Sequence, residues 1–405
     1  MLQKILILLS FITLTGCSYL AKITEMAVLP FNASEKAVKT VTISNIWTTD
    51  TGSKRNPRSA VLQPVYDGNN TFYTIDTEGL VSSIDVKTGD LNWSRSLGLN
   101  VTSGLGLHND YLYFGTFDGK LYGYKISRLY KPSGLMSYFD IGTMVKSSYI
   151  EPDLLMQLTS ELSAPVSGNL DKIFAKKTDG DTLAIDYASS TITWQHKGKN
   201  IALNIKGSGS IISDFNNIFV PKDDGTLLSL VQNSGKLNWI ISISPRSGRN
   251  ALELLRDVEM TPYLADGVLY IGSFQGSLAA IEAISGNIIW STPLSVLTDV
   301  SVDYDHVYSS SDDGFIYALD KYTGSVKWKT KVSSKNKLTA PIVYNDYILV
   351  IDSDGFVIIL NKDNGQLLTN YKALKPVEYQ SKIFLINKTF YISTKNGKLA
   401  AFNIN

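Results

Sequence analysis

The sequence predicts an all-β chain, an eight-bladed β-propeller of four-stranded antiparallel blades. Three observations predict it: a turn motif recurring about every 40 residues, tryptophan at a fixed distance behind that turn, and a last repeat that stops one strand short.

The turn pairs an acidic or amide residue with glycine at Glu78-Gly79, Asp118-Gly119, Asp179-Gly180, Asp224-Gly225, Gln275-Gly276, Asp313-Gly314, Asp354-Gly355 and Asn396-Gly397. The glycines lie 40, 61, 45, 51, 38, 41 and 42 residues apart, the period of a four-stranded blade. Trp93, Trp194, Trp239, Trp290 and Trp328 each follow their own glycine by 14 residues. A second turn precedes the tryptophan at Thr88-Gly89, Ser234-Gly235, Ser285-Gly286, Thr323-Gly324 and Asn364-Gly365, where glycine supplies the positive φ of a tight hairpin. The flanking Val, Ile, Leu and Tyr are read as alternating at the strand period. A further strand is marked upstream by Pro64, Pro165, Pro262 and Pro341, 14 or 15 residues before the repeat glycine. Proline donates nothing to a ladder and belongs at a strand start.

The eighth copy ends at Asn405 before any tryptophan, while Trp47 stands alone ahead of the first copy. Pairing the N-terminal strand around Trp47 with the last repeat closes the ring and removes two open edges. Each tryptophan is then expected in the core between blades. Two copies depart from the pattern: Ser133 holds the tryptophan offset in the second, within a long stretch from Ser127 to Ser163, and Thr369 holds it in the seventh.

Ahead of the ring, an apolar run from Ile5 to Leu14 is too short to cross a hydrocarbon core, which needs about 20 residues, and reads as an export signal. Leu14-Thr15-Gly16-Cys17 resembles the lipobox of bacterial lipoproteins, which implies diacylation of Cys17 and cleavage before it. Ser18, by resemblance to lipoprotein sorting patterns, implies the outer membrane, with the body facing the periplasm. The expected organisation is a signal peptide at 1–16, a lipid-anchored tether at 17–45 and the propeller at 46–405.

Composition excludes several classes. Thirty-eight Lys and Arg against 37 Asp and Glu leave a net charge of +1, no excess for nucleic acid. A 44% hydrophobic, 19% charged chain has the material for a large core. One Cys and three His exclude an internal disulfide framework and a Cys-rich metal site. No G-x-S-x-G elbow occurs, and His108 and His306 stand beside turns. Asp352-Ser353-Asp354-Gly355 resembles the start of a calcium loop, but Val350 and Asn361 occupy the first and twelfth ligand positions, so hairpin chemistry explains it.

The repeat, D-G-x-L/I-x-A-L/I-D-x-x-T/S-G-x-x-x-W, resembles the propeller repeat named for pyrroloquinoline quinone enzymes. An active quinoprotein dehydrogenase would imply a quinone, calcium, a catalytic carboxylate and often adjacent cysteines; the single Cys, assigned to lipid, sets that reading aside. Together with the lipobox and the Ile46-Trp47-Thr48-Thr49 opening, two segments make the chain similar to the BamB family, lipoproteins of the outer-membrane β-barrel assembly (BAM) machinery. Leu203-Asn204-Ile205-Lys206-Gly207 is similar to that family's Leu-x-Leu-Arg-Gly, and Leu255-Arg256-Asp257-Val258-Glu259-Met260-Thr261-Pro262 to its Leu-x-Asp-Val-Asp-x-Thr-Pro.

The resemblance implies a non-enzymatic scaffold without a cofactor. Its partners would be BamA, through the POTRA domains, other BAM subunits and, in passing, unfolded outer-membrane proteins. Leu203, Ile205, Lys206, Arg256, Asp257 and Glu259 would form the contact, an apolar centre with a charged rim. Lys206 in place of Arg loses the planar fork that grips a carboxylate with two bonds. Read from the residues alone, Leu203 and Ile205 suit an inner strand entering the core better than a contact surface; the resemblance favours the contact. The alternative function is a periplasmic propeller lipoprotein that binds a small ligand or polysaccharide in its central channel.

Overall fold

The structure, a computed structural model, describes residues 41–52, 62–129, 152–198, 209–243, 258–333 and 337–405. Among these residues, strands form eight antiparallel four-stranded sheets, one for each repeat glycine, and the molecule is an eight-bladed β-propeller. Blade five shows the unit. Tyr263–Ala265, Val268–Gly272, Ser277–Glu282 and Ile288–Pro293 pair in that order from the channel outward. Pro262 directly precedes the inner strand, as Pro64 and Pro341 precede theirs, and Pro165 stands two residues before its own.

The expected alternation is confined to the outermost strands. In the two middle strands consecutive residues are buried, as in Leu269-Tyr270-Ile271 and Leu278-Ala279-Ala280-Ile281. The reason is that neighbouring blades cover both faces of every sheet, so both side-chain sets must be apolar. The outer strand keeps one wet face: Ile288 and Ile289 are exposed and Trp290 is buried.

A bulge aims the tryptophan. In blade five Ala280 pairs with Trp290 and Ile281 with Ile288, leaving Ile289 as the extra residue. The same shift recurs at Ser83/Ile84, Ala184/Ile185, Ser229/Leu230, Ala318/Leu319 and Ile359/Leu360. One inserted residue increases the local twist and turns the next side chain onto the neighbouring sheet.

There the indole meets the second turn of the following blade. Trp47, Trp194, Trp239, Trp290 and Trp328 donate through Nε1 to the carbonyls of Val86, Gln232, Ala283, Lys321 and Lys362, at 3.1, 2.8, 3.1, 2.9 and 2.9 Å. Each carbonyl lies three residues before the turn glycine. The ring covers that glycine so closely that a Cβ on Gly235, Gly286, Gly324 or Gly365 would come within 2.5–2.7 Å of it. Those glycines also have φ of 65°, 77°, 68° and 70°, so two constraints select the same residue. Two residues beyond the indole, Thr292 and Thr330 donate to the carbonyls of Gly324 and Gly365 at 2.6 and 2.7 Å, and Thr49 donates to Gly89.

The exceptions follow from the same contact. Blade two inserts residues between its third strand, Lys120–Lys125, and its fourth, Asp153–Gln157, with a helical turn at Ile126–Leu129. Ser133 lies outside the described residues. In that fourth strand Asp153 stands opposite Gly123, the register at which other blades carry the indole, and Leu155 packs over Gly123. With no indole from blade two to accommodate, blade three has Ser190 at the turn, still with φ of 55°. Blade seven carries Thr369, because blade eight has no such turn to receive an indole. Thr369 is buried and donates to Val41 O instead.

Ring closure occurs as expected. Ile43–Asp50 pairs with Lys398–Ile404, with Trp47 opposite Ala401. Thr42 and Asn405 exchange backbone bonds of 3.0 and 2.9 Å. The strand starts at Ile43, so residues 43–45, placed above in the tether, belong to the sheet; Val41 and Ile43 are buried in the blade seven–eight core.

Gly286→Ala is expected to cost more than the roughly 1–2 kcal/mol of a left-handed residue alone, because the new Cβ strikes Trp239. In a Trp239→Ala background only the backbone part should remain, while Ser190→Ala should change stability by less than about 1 kcal/mol; urea unfolding of the four variants checks this. A second expectation concerns acid. Lys327, 3.0 Å away, and the turn N–H groups of Thr323 and Tyr322 hold the Asp320 carboxyl down to about 2. Its folded value lies below the unfolded one near 3.9, so its contribution is present above pH ~4 and is lost between pH ~4 and 2. Asp320→Asn keeps the turn acceptor, as Asn361 does in blade seven, and should flatten the stability–pH curve in that window.

Candidate functional site

Among the described residues, each outer strand ends, and the next inner strand begins, on the face that carries the repeat turns. The segments singled out in the sequence fall between blades three and four and between blades four and five. Leu203, Ile205, Lys206, Arg256 and Asp257 lie outside the described residues, but their flanks are built.

The chain leaves blade three at Gly198, pressed against the Gly180 backbone. The Gly198 N–H donates to Asp181 Oδ1 at 2.8 Å and Gln195 Nε2 to Oδ2 at 2.6 Å. Lys177 lies 3.4 Å from Asp181 and 2.7 Å from Asp179. Burial works to raise the Asp181 carboxyl; the Gly198, Gln195 and Lys177 donors outweigh it and hold it low. Alongside, Lys222 donates to Gly180 O, and Lys176 lies 3.5 Å from Asp223. Burial, reinforced by Lys176, lowers the Lys222 ammonium. Three lysines and their aspartates thus form a largely buried ionic frame under the take-off point.

The two segments converge on their far sides. Gly209 packs against the carbonyls of Glu259 and Met260. Ser210 N donates to Thr261 Oγ1 at 3.2 Å, and Thr261 N donates to Asp299 Oδ1 at 2.7 Å. Val258 and Met260 are fully buried.

Glu259 does not join a charged rim. It is 2% exposed, and its carboxylate turns into the mouth of the channel, where Oε2 accepts from Tyr379 OH at 3.3 Å and Gln380 Nε2 at 3.1 Å. The chain at 258–260 is already running into the channel wall ahead of Pro262, so every side chain there is enclosed. Tyr379 and Gln380 come from the connection between blades seven and eight. Gln63, before blade one, donates to Gln380 O and accepts from Lys382 N at 2.8 Å. These residues bridge the mouth from three sides. Burial, with Glu259 beside it, pushes the Tyr379 phenol up, and Lys337 covers its ring at 4.2 Å. Nothing in the sequence pattern pointed to this bridge, because its members are far apart and none belongs to the repeat.

Beneath it lies a cavity of about 440 Å³. Pro64, Pro165, Pro262 and Pro341 line it, so the inner-strand prolines also build the channel wall. Two histidines make structural contacts: His108 Nε2 pairs with Leu170 O at 3.0 Å between blades two and three, and His306 lies 3.8 Å from Asp303. Among the described residues no group of three His, Cys, Asp or Glu is placed to hold a metal ion.

Residues 156–330 match the family model described as outer membrane protein assembly factor BamB. The outer membrane protein assembly factor BamB of Yersinia pestis is 25% identical over 98% of this chain and 97% of its own length, and that of Escherichia coli K12 is 24% identical over 98% of both. The crystal structure of BamB from Moraxella catarrhalis superposes with a TM-score of 0.72 at 22% identity, covering 88% of this chain and 100% of that one. The quinohemoprotein alcohol dehydrogenase of Comamonas testosteroni shares the fold, with a TM-score of 0.63 at 11% identity over 89% of this chain and 76% of its own. The repeat, the closed ring and relatives aligned along nearly the whole length lead to one conclusion: the chain is similar, from end to end, to the outer membrane protein assembly factors BamB.

Proposed function

We propose that this chain is a non-enzymatic scaffold for the assembly of outer-membrane β-barrel proteins, anchored through lipid on Cys17 at the periplasmic face of the outer membrane. It docks on the POTRA domains of BamA, within the BAM complex, through Leu203, Ile205, Lys206, Arg256 and Asp257. The observation that carries this reading is the near full-length match to assembly factors. The convergence of the two segments at Ser210–Thr261 supports a single docking site.

A second surface suits the substrate. The outer strands of blades three, four and five, Thr191–His196, Leu237–Ser242 and Ile288–Pro293, contain no Asp, Glu, Lys or Arg, and expose Ile192, Leu237, Ile240, Ile288 and Ile289. Blade six carries three lysines on the equivalent strand, Val326–Lys331. Lysine guards an edge against added strands; its absence leaves unpaired backbone groups available to an extended segment of an unfolded barrel protein.

Leu203→Ala combined with Asp257→Lys should reduce capture of the BamA periplasmic region at least about tenfold. Undiminished capture by a variant with an unchanged circular dichroism spectrum rules the docking site out. Ile240→Lys with Ile289→Lys should lower crosslinking to a urea-denatured barrel protein severalfold while leaving BamA capture intact.

A further inference from the structure

Blades six and seven carry a feature that the repeat does not require. Phe315 and Phe356 directly follow their turn glycines, and each stands across the ladder from a lysine at the end of the outer strand, Lys331 and Lys372. Blades one, four and five build the same hairpin with Leu80 opposite Ser96, Thr226 opposite Ser242 and Ser277 opposite Pro293, so the fold demands neither the ring nor the charge. Lys329 and Lys331 hold their ammonium groups over the Phe315 ring, 5.7 and 4.8 Å from its centre, and Lys372 lies 5.7 Å from that of Phe356. Beside the blade-seven turn, where the Lys337 carbonyl accepts from Ser353 N at 3.0 Å, the Lys337 ammonium covers Tyr379 at 4.2 Å. Edge protection explains a lysine on an outer strand, but not an aromatic ring placed beneath it.

We propose that this sector of the repeat-turn face is an interaction surface for an acidic polypeptide, whose Asp and Glu side chains reach several of these lysines together. The chain as a whole is nearly neutral, at +1, so the concentration of positive charge here is local. Among the described residues, none of Lys329, Lys331, Lys337 and Lys372 has a carboxylate within 4 Å; the ion pairs of these blades use other lysines, such as Lys327 with Asp320 and Lys375 with Asp354, both at 3.0 Å. The two carboxylates on the blade-six turn are occupied as well, Asp312 by Ser295 Oγ at 2.9 Å and Asp313 by Ser311 Oγ. A ring beneath an ammonium fixes its position and leaves its charge uncompensated, which reduces the entropy lost when a carboxylate arrives. The same geometry disfavours a bilayer. Phe315 and Phe356 are only partly exposed and lie under lysine stems, whereas aromatics that anchor at a lipid interface must be free to enter it.

The test uses the full chain in an uncharged detergent. A fluorescein-labelled peptide of alternating Asp and Glu serves as the probe, with an Asn-Gln peptide of equal length and phosphatidylglycerol vesicles as controls. Fluorescence anisotropy should show the acidic peptide binding, more weakly as salt rises, and the neutral peptide not binding. Lys331→Gln with Lys372→Gln should weaken binding about tenfold. Lys87→Gln with Lys236→Gln, the same charge change on the opposite face, should leave it unchanged. Phe315→Leu with Phe356→Leu keeps every charge, introduces the residue that blade one carries at Leu80, and should weaken binding roughly threefold. Each variant should melt close to the parent. Failure of the acidic peptide to bind at roughly 1 mM overturns the proposal. So does an equal loss in the two glutamine variants, undiminished binding by the leucine variant, or capture by the vesicles through Lys331 and Lys372 without capture of the peptide. None of these residues belongs to the BamA contact, so this inference can fail while the scaffold reading stands.

Discussion

The ring depends on one contact, the face of an indole laid on a glycine of the next blade. An eight-fold ring has no single central core; each sheet is held by its two neighbours, so stability and curvature are set seam by seam. The indole provides a large apolar area, a hydrogen bond from Nε1 to a turn carbonyl and a fixed distance between sheets. The glycine makes the distance possible. An indole laid on the next blade's turn therefore requires glycine there, as at five seams; blade one differs, because Trp93 faces a blade with a helical turn at Ile126–Leu129 and no glycine turn. Where blade two lacks the indole, the turn of blade three carries Ser190; where blade eight lacks the turn, blade seven carries Thr369. Truncating one such indole to alanine removes contacts worth roughly 3–5 kcal/mol.

Closure turns these seams into a platform. Because Ile43–Asp50 completes the sheet begun by the C-terminal strands, no blade is left with an exposed face, and the connections between blades gather on one side. That side holds both the flanks of the two family-like segments and the bridge across the channel mouth. The ionic frame of Lys176, Lys177, Lys222 and Asp181 stiffens the point where the first segment departs. Buried charges of this kind contribute little net stability but are strongly unfavourable to unpair, which restricts the backbone to one arrangement.

Much of this was legible in the sequence. The turn glycines, the 14-residue offset and the lone Trp47 are local or periodic signals, and they specify blade number, strand count and closure without any knowledge of contacts. The bulge before each tryptophan was not legible, since it is a property of pairing between strands. The outer strand of blade two escaped because an insertion displaced it from the offset to Asp153–Gln157. Glu259 was misread for a related reason: its neighbours resemble a docking motif, yet its environment is made by Tyr379 and Gln380, more than a hundred residues away.

By itself, then, the sequence determined the architecture: how many blades, where each turns, which residues seal them and where the ring joins. Only the tertiary structure decided what faces the channel and what faces outward on the loop side. The physical reason is that repetition encodes short-range geometry, identical in every copy. The channel is enclosed by the non-repeating residues between copies, and their surroundings exist only once the ring has closed.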